Sequence, residues 1–366
     1  MIYFDNASTT KICATALDYY NLYASEKFFN ASAIYKQGIE IRKSIDAVKR
    51  EICNLLGVEF KNNIIFTGSA TEANNLAFLG SYKKNFGRIV VSEGEHACVY
   101  NSALNLKNKG AEVVFVPLAP NGEIDYEKFE NALTTDTSFI SVMHVSNETG
   151  AINDLNKLIS IKNRICPKAI FHSDGVQAFG KIKFNLNENV DLYTISAHKI
   201  HGPKGVGALY VKNKTKLNAI IFGGGQEYNL RSGTENIAGI MGFKGAIEEI
   251  SFDNNIQEIK KEFIAGLKGD FKINGDRTSP YILSLSYKGL NGETLVHMLE
   301  EQNILISRGS ACSGTKTGNR ILSSMKLDKS LVQGSIRISF SRYNTTQEAQ
   351  IVAKNLNDCV ARLREI

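Results

Sequence analysis

The sequence predicts an α/β fold in two parts: a large domain built on a mostly parallel sheet with helices on both faces, and a smaller α+β domain. Three observations carry this. Short apolar runs alternate with amphipathic stretches through the first 250 residues, the strand rhythm changes after that point, and 366 residues are enough chain for two or three domains.

The elements follow in order. "NNIIFTG" reads as a strand before the helical "SATEANNLAFLGSYKK", "RIVVSEG" before "HACVYNSALNLKNKG", and "AEVVFVPL" before "DYEKFENAL". "SFISVMHVS" precedes "DLNKLISIKNRI", "AIFHSD" precedes the amphipathic "GVQAFG", and "DLYTISA" and "GALYV" complete the series. Such continuous apolar runs suit strands buried between helical layers. After "AGIMGFKGAIEEI" comes the charged helical stretch "NNIQEIKKEFIAGLKG", then "YILSLSYKG", "ILISRG" and "GSIRISFS", closed by the helix "TQEAQIVAKNLNDCVARLREI". The large domain is therefore set at 13–250, and the smaller one at 1–12 with 251–366.

Composition narrows the function classes. A net charge of +6 would accommodate an anionic ligand, but the basic residues are dispersed, which speaks against direct nucleic-acid binding. "MIYFDNASTT" has neither a basic leader nor an apolar core, and no window reaches the roughly 18 apolar residues of a membrane span, so a cytoplasmic protein is expected. The six cysteines (Cys13, Cys53, Cys98, Cys166, Cys312, Cys359) stand far apart without metal-like spacing, which argues against disulfides and structural metal. Five read as small buried hydrophobes; Cys312, in the small and polar "SRGSACSGTKTGN", does not.

In open α/β sheets the ligand lies beyond the carboxyl ends of the strands. Polar residues at those ends form a set: the turn Gly68-Ser69-Ala70-Thr71 opening a helix, then His96, then Asn147 with Glu148, then Asp174 with Gln177, and finally Ser196, His198 and Lys199. A helix start with hydroxyls suits a phosphate, a carboxylate suits a protonated pyridine nitrogen, and a lysine amine suits an aldehyde. Together they point to pyridoxal phosphate.

The segments "FTGSATEANNLA", "MHVSNETGAIND", "FHSDGVQAFGK", "SAHKIHGPKGVGALYV", "GGGQEYNLRSGTEN" and "RGSACSG" closely resemble the cysteine desulfurases of the NifS/IscS-like group, within the class V aminotransferases. The resemblance runs from Tyr3 to Thr345 and implies the aspartate aminotransferase-like fold type I, pyridoxal 5'-phosphate as cofactor and a homodimer. It implies that Lys199 is the Schiff-base lysine, Asp174 the partner of the pyridine nitrogen, Gln177 a donor to the ring oxygen and His96 a stacking and proton-transfer residue. Ala70, Thr71, Ser196 and His198 would hold the phosphate, joined by Thr234 of the other subunit. Asn147 would lie beside cofactor and substrate, Asn30 at the substrate entrance, and Arg337 on the substrate carboxylate. Cys312 would take sulfur from L-cysteine, leaving L-alanine, and hand its persulfide to an acceptor protein in iron-sulfur cluster assembly or thiolation. Arg308 is a candidate for lowering the pKa of that thiol.

The chain departs from the family in three places. Asn30-Ala31-Ser32 stands where Asn-Pro-Ser is usual, with Tyr35 in place of a common histidine; "GTKTGNR" follows Cys312 in place of Leu-Glu-Pro-Ser; and the chain ends at Ile366 without the longer tail through which some relatives engage an iron-sulfur scaffold. Selenocysteine lyase and a small amino-acid transaminase are alternative readings of the same fold, and a transaminase has no need of Cys312. A non-catalytic sulfur carrier would have no need of Lys199.

Overall fold

Strands that are apolar along nearly their whole length need cover on both faces, and seven of them assemble into one sheet. The computed structural model describes residues 1–366 apart from 62, 84–85, 253–254, 310–318 and 366. Its strands are β1 (Ile2–Tyr3), β2 (Ile64–Thr67), β3 (Arg88–Ser92), β4 (Val113–Val116), β5 (Thr137–Ser141), β6 (Ile170–Asp174), β7 (Leu192–Ser196), β8 (Gly207–Val211), β9 (Lys272–Ile273), β10 (Ile282–Ser286), β11 (Ile304–Leu305) and β12 (Ser335–Ser339). The large sheet runs β2-β8-β7-β6-β5-β3-β4. Alternation along each strand divides its side chains between two cores. Phe66, Ile140, Phe171 and Tyr193 pack with Ile52 and Phe243 on one face, while Ile65, Phe139 and Leu209 pack with Leu76 and Phe78 on the other.

The sheet is mostly parallel, with one reversed strand, and one local expectation needs correction. Strand β8 is antiparallel to both of its neighbours, β2 and β7. The reason is length, since residues 197–206 between β7 and β8 are too few for the crossover that a parallel pair requires. The segment "GVQAFG" forms overlapping turns and no helix, with Ala178 N and Phe179 N both donating to Gly175 O at 2.9 Å. Gly180 then takes a left-handed φ of 69°, which ends any helical course there.

The second sheet is β12-β10-β9, fully antiparallel. It packs against the helices Ile256–Ala265 and Thr346–Arg364 through Phe263, Leu285, Phe340, Val352 and Leu356. The longer helix is started by a capping box in which Thr345 and Glu348 each bond the other's backbone. "ILISRG" contributes β11, which pairs in parallel with β1, while Ser307 just beyond it bridges Arg337 of β12. Phe4, just beyond β1, stands 5.3 Å from the Phe340 ring and is fully buried. Residues 5–10 then pass to the large sheet, where Thr10 N and Oγ1 both donate to His198 O at 3.0 Å.

Three buried histidines and the half-buried His198 are expected to make this fold acid-sensitive. His172 lies between Ser141 Oγ (2.8 Å) and Thr194 Oγ1 (3.2 Å), and burial lowers its pKa from 6.5 to about 3. Burial likewise lowers His144, His198 and His201 from 6.5 to about 4. The unfolded chain takes up these protons near pH 6.5 while the folded chain refuses them, so stability is full above pH 6.5 and falls as pH drops toward 4. Glu95 acts in the opposite sense. Burial, then Asp174, raises its carboxyl from 4.5 to about 8, so its contribution is present below pH 4.5 and is lost as pH rises to about 8. Burial also raises the Glu51 and Glu227 carboxyls, which act in the same sense as Glu95; each proton is worth about 1.4 kcal/mol per pH unit, and the four histidines outnumber the three carboxyls. The urea midpoint is expected to fall between pH 6.5 and 4.5, before most carboxylates titrate; a flat midpoint over that range would contradict this account.

Candidate active site

Strands β6 and β7 are parallel neighbours, with Asp174 opposite Thr194. Asp174 ends β6, and Lys199 closes the short turn Ala197–Lys199 that follows β7. Both therefore stand at the carboxyl edge of the sheet. Asp174 is 4% exposed, receives 2.8 and 3.0 Å hydrogen bonds from Asn74 Nδ2 and Val176 N, and has no salt bridge to a protein cation among the described residues. A buried carboxylate without a protein counterion is suited to a cationic ring nitrogen.

Lys199 Nζ donates to Ala7 O and Ser8 O, each at 2.6 Å. Gln177 Nε2 donates to the same Ala7 carbonyl at 2.9 Å. Arg337, on β12 and 5% exposed, reaches the same segment from the other sheet. Its Nη2 donates to Asp5 Oδ1 (2.9 Å) and Ser8 Oγ (2.7 Å), and its Nη1 to Asn147 O (2.8 Å). Residues 5–8 thus join Lys199, Gln177 and Arg337.

At the helix Ala70–Ser81, Ser69 is the N-cap and accepts from Glu72 N at 3.1 Å. Glu72 returns to Gly68 N at 2.9 Å and is held by Arg231 Nε at 2.7 Å. Gly207 pairs with Ser196 across β7 and β8. A β-carbon there would lie 2.7 Å from Ser69 C and 2.8 Å from Ala70 N, so glycine is what lets the helix start approach the strand ends. Ala70, Thr71 and Ser196 are brought together in this way. Ser196 Oγ is buried and has no hydrogen-bond partner among the described residues. His198 Nδ1 lies 3.1 Å from Thr9 Oγ1; burial, then the Lys199, Lys204 and Lys181 cations, lowers its pKa to about 4.

His96 caps the helix Ala97–Asn108, its Nδ1 accepting from Cys98 N at 3.3 Å and lying 3.0 Å from Cys98 Sγ. With Nδ1 as acceptor, the proton of the neutral ring sits on Nε2. Burial lowers its pKa, Asp174 opposes this and Lys199 reinforces it. Burial, then Asp174, pushes the Cys98 thiol up to about 12, so it remains an S–H group. Glu95, fully buried beneath this turn, accepts from Met143 N. Arg320 Nη2 donates to the Glu95 carbonyl at 2.5 Å, tying the helix Arg320–Ser324 to the turn that carries His96.

Asn147 Nδ2 donates to Glu148 Oε1 at 2.9 Å, while its own Oδ1 is buried without a partner among the described residues. Glu148 lies 3.6 Å from Arg337 Nη1 and accepts from Asn319 Nδ2 at 3.2 Å. A β-carbon at Gly309 would stand 2.3 Å from Glu148 Oε2. Ser307 and Arg337 exchange backbone hydrogen bonds at 3.1 and 2.6 Å. Cys312 lies outside the described residues, but the chain on both sides of it, at Gly309 and Asn319, meets Glu148. Arg308 is paired with Glu293 at 2.9 Å.

Two predicted residues stand apart from this convergence. Asn30 is exposed and accepts from Ser32 N at 2.8 Å. Thr234 is exposed and lines a groove with Thr67, Gly68, Gly205 and Arg231. Sequence reasoning did not single out Asp5, Asn74, Glu95 or Lys181 as site residues. Asn74 follows Ala70 by one helical turn, a spacing that marks it as facing the same way. Ala7 acts through its carbonyl oxygen alone, and Ser8 meets Lys199 through its carbonyl; such oxygens leave no trace in side-chain identity.

The donor set fits pyridoxal phosphate. A carboxylate with no ion pair and a hydroxyl with no partner among the described residues, the latter beside a helix start, match with the amine at the adjacent strand end the three polar parts of the cofactor.

Residues 2–352 match the aminotransferase class-V family. The chain is 34% identical to a cysteine desulfurase IscS of Dictyoglomus turgidum, over 100% of this chain and 96% of that one. A solved structure titled NifS-like protein superposes with a TM-score of 0.92 at 30% identity, covering 99% of both chains. Another, titled SspA in complex with cysteine, gives 0.85 at 30% identity over 94% of this chain and 100% of that one. The fold and the full-length match agree: the chain belongs to the aminotransferase class-V family.

Proposed function

We propose that the chain is a pyridoxal phosphate-dependent cysteine desulfurase, converting L-cysteine to L-alanine and a persulfide on Cys312. The observation that carries this is Asp174, a buried carboxylate with no cation paired to it among the described residues, on the strand beside the one that leads into Lys199. The relatives named cysteine desulfurase and the solved structure with cysteine support the substrate. Pyridoxal phosphate, when bound, supplies the electron withdrawal that weakens the substrate's carbon-sulfur bond.

The chain's own residues do the rest. Lys199 would carry the cofactor aldehyde, with Asp174 at the ring nitrogen, Gln177 at the ring oxygen, His96 against the ring and Asn147 beside it. Ala70, Thr71, Ser196 and His198 would hold the phosphate, with Thr234 reaching it from the second subunit of a homodimer. Lys199 Nζ then takes the proton from the substrate's alpha carbon, and His96 Nε2 holds and delivers a proton. Arg337, its Nη1 and Nη2 held by Asn147 O, Asp5 and Ser8, would meet the substrate carboxylate through Nε, and Asn30 borders the entrance. The Cys312 thiolate attacks the substrate sulfur; the sulfur-sulfur bond forms as the carbon-sulfur bond breaks, and the carbon fragment takes up protons and leaves as alanine. The contacts of Gly309 and Asn319 with Glu148 support a role for Cys312 here. An acceptor protein then removes the sulfur. Among the described residues no helix is long and apolar enough to cross a membrane, and a cytoplasmic setting is part of this reading.

The test is desulfuration of L-cysteine by protein with pyridoxal phosphate and a reductant, measuring sulfide and alanine together. Equal amounts are expected from wild type, and neither from Cys312→Ala. Alanine without sulfide, or sulfide unaffected by Cys312→Ala, would overturn the persulfide route.

A further inference from the structure

We propose that Lys181 is a positioning residue that locks the side-chain amide of Gln177, so that its NH2 end faces the Lys199 amine and the cofactor ring oxygen. This rests on the reading above, in which Lys199 carries the cofactor and Gln177 meets that oxygen. Lys181 Nζ donates to Gln177 Oε1 at 2.6 Å, while Gln177 Nε2 donates to Ala7 O at 2.9 Å. The Ala7 carbonyl also receives Lys199 Nζ at 2.6 Å, so the donor end of the amide and the reactive amine converge on one atom.

An amide has two orientations of nearly equal shape. Flipped, Gln177 would set its oxygen against the Ala7 carbonyl oxygen and lose that hydrogen bond. Water cannot compensate easily, because Gln177 is 3% and Lys181 7% exposed. In the observed orientation one N–H is used by Ala7 and the second remains for an acceptor in the site.

Two other lysines are buried among the described residues, and neither meets the site: Lys162 donates to Pro167 O and Asn163 Oδ1, and Lys49 to the Glu227 carboxylate. Lys181 instead bonds a side chain of the site. The charged groups acting on it are Lys199 and Arg337, both cations, and the Tyr281 ring lies 5.7 Å away. Burial, then these two cations, pushes its pKa well below that of an ordinary lysine, so it tolerates the lack of a carboxylate.

The experiment uses protein loaded with pyridoxal 5'-phosphate and follows the visible absorbance of the lysine-bound cofactor against pH, with borohydride to fix the linkage. Lys181→Met is expected to keep the fixable band but to shift its pH midpoint upward, because the ring oxygen loses a firmly oriented donor. Lys181→Arg, which keeps N–H donors, is expected to move the midpoint back toward wild type. Gln177→Leu should shift it by itself, and adding Lys181→Met should shift it no further. If Lys181→Met does not fold, as judged by circular dichroism, Lys181→Ala carries the same comparison. An unchanged midpoint in the folded variant, or a full additional shift in the Gln177→Leu background, overturns the proposal. Failure of the wild type to form any fixable band would instead overturn the reading of Lys199.

Discussion

Lys199→Ala is expected to bind pyridoxal phosphate without forming a borohydride-fixable link and to lose desulfuration by about 10³-fold or more, roughly 4 kcal/mol of transition-state stabilisation. The size of the effect follows from the double duty proposed for one atom, since Nζ is both the attachment point and the base at the alpha carbon. The fold should survive. In the protein the amine donates to Ala7 O and Ser8 O, on a segment that keeps its other ties through Thr10 to His198 O and through Asp5 to Arg337. Losing two donors at a partly exposed position costs on the order of 1 kcal/mol each. The measurement is a paired one: fixed cofactor by mass, and thermal midpoint. A variant that still fixes cofactor at full stoichiometry would show that another amine, for which buried Lys181 is the nearest candidate, serves in its place.

How much of this was legible beforehand depends on which part of a residue does the work. Asp174 and Lys199 could be read because a charged side chain ending an apolar run is a local signal, and the sheet then places both at one edge. The contact between Lys199 and Ala7 could not, since it joins residues 192 apart through a backbone carbonyl. Gln177 and Lys181 sit four apart, which suggests one face of a helix, but the segment is a series of turns and their contact survives for a different reason, the left-handed Gly180 between them. The reversal of β8 was legible in principle from the brevity of 197–206, while apolar periodicity alone carries no direction. Arg337 emerged only through resemblance, because "SIRIS" reads equally well as an edge strand with one outward charge. Its burial between two sheets comes from partners at Asp5 and Glu148 that lie in distant segments.

Those partners make Arg337 the second decisive position, and two substitutions separate its structural from its binding role. Arg337→Ala would remove the guanidinium that lies beside Glu148, with a side chain only 2% exposed, and Asp5, at 20%. Breaking such a buried pair from one side costs about 3–5 kcal/mol, so a clear fall in thermal midpoint is expected, together with loosening of the Gly309 and Asn319 contacts that Glu148 organises. Arg337→Lys keeps the charge but not the fork. Lysine can satisfy Asp5 or Asn147 O but cannot span both as the guanidinium does through Nη2 and Nη1. Stability should therefore recover most of the way while binding does not. In the wild type Nε is buried and without a partner among the described residues, and under the proposed function it is the donor that would meet the substrate carboxylate. Loss of that charge-assisted hydrogen bond, worth about 1.5–3 kcal/mol, predicts a rise in KM for L-cysteine of roughly ten- to hundredfold in Arg337→Lys. If the lysine variant instead regains both stability and KM, the arginine is an internal counterion for Asp5 and Glu148, and the substrate carboxylate is held elsewhere.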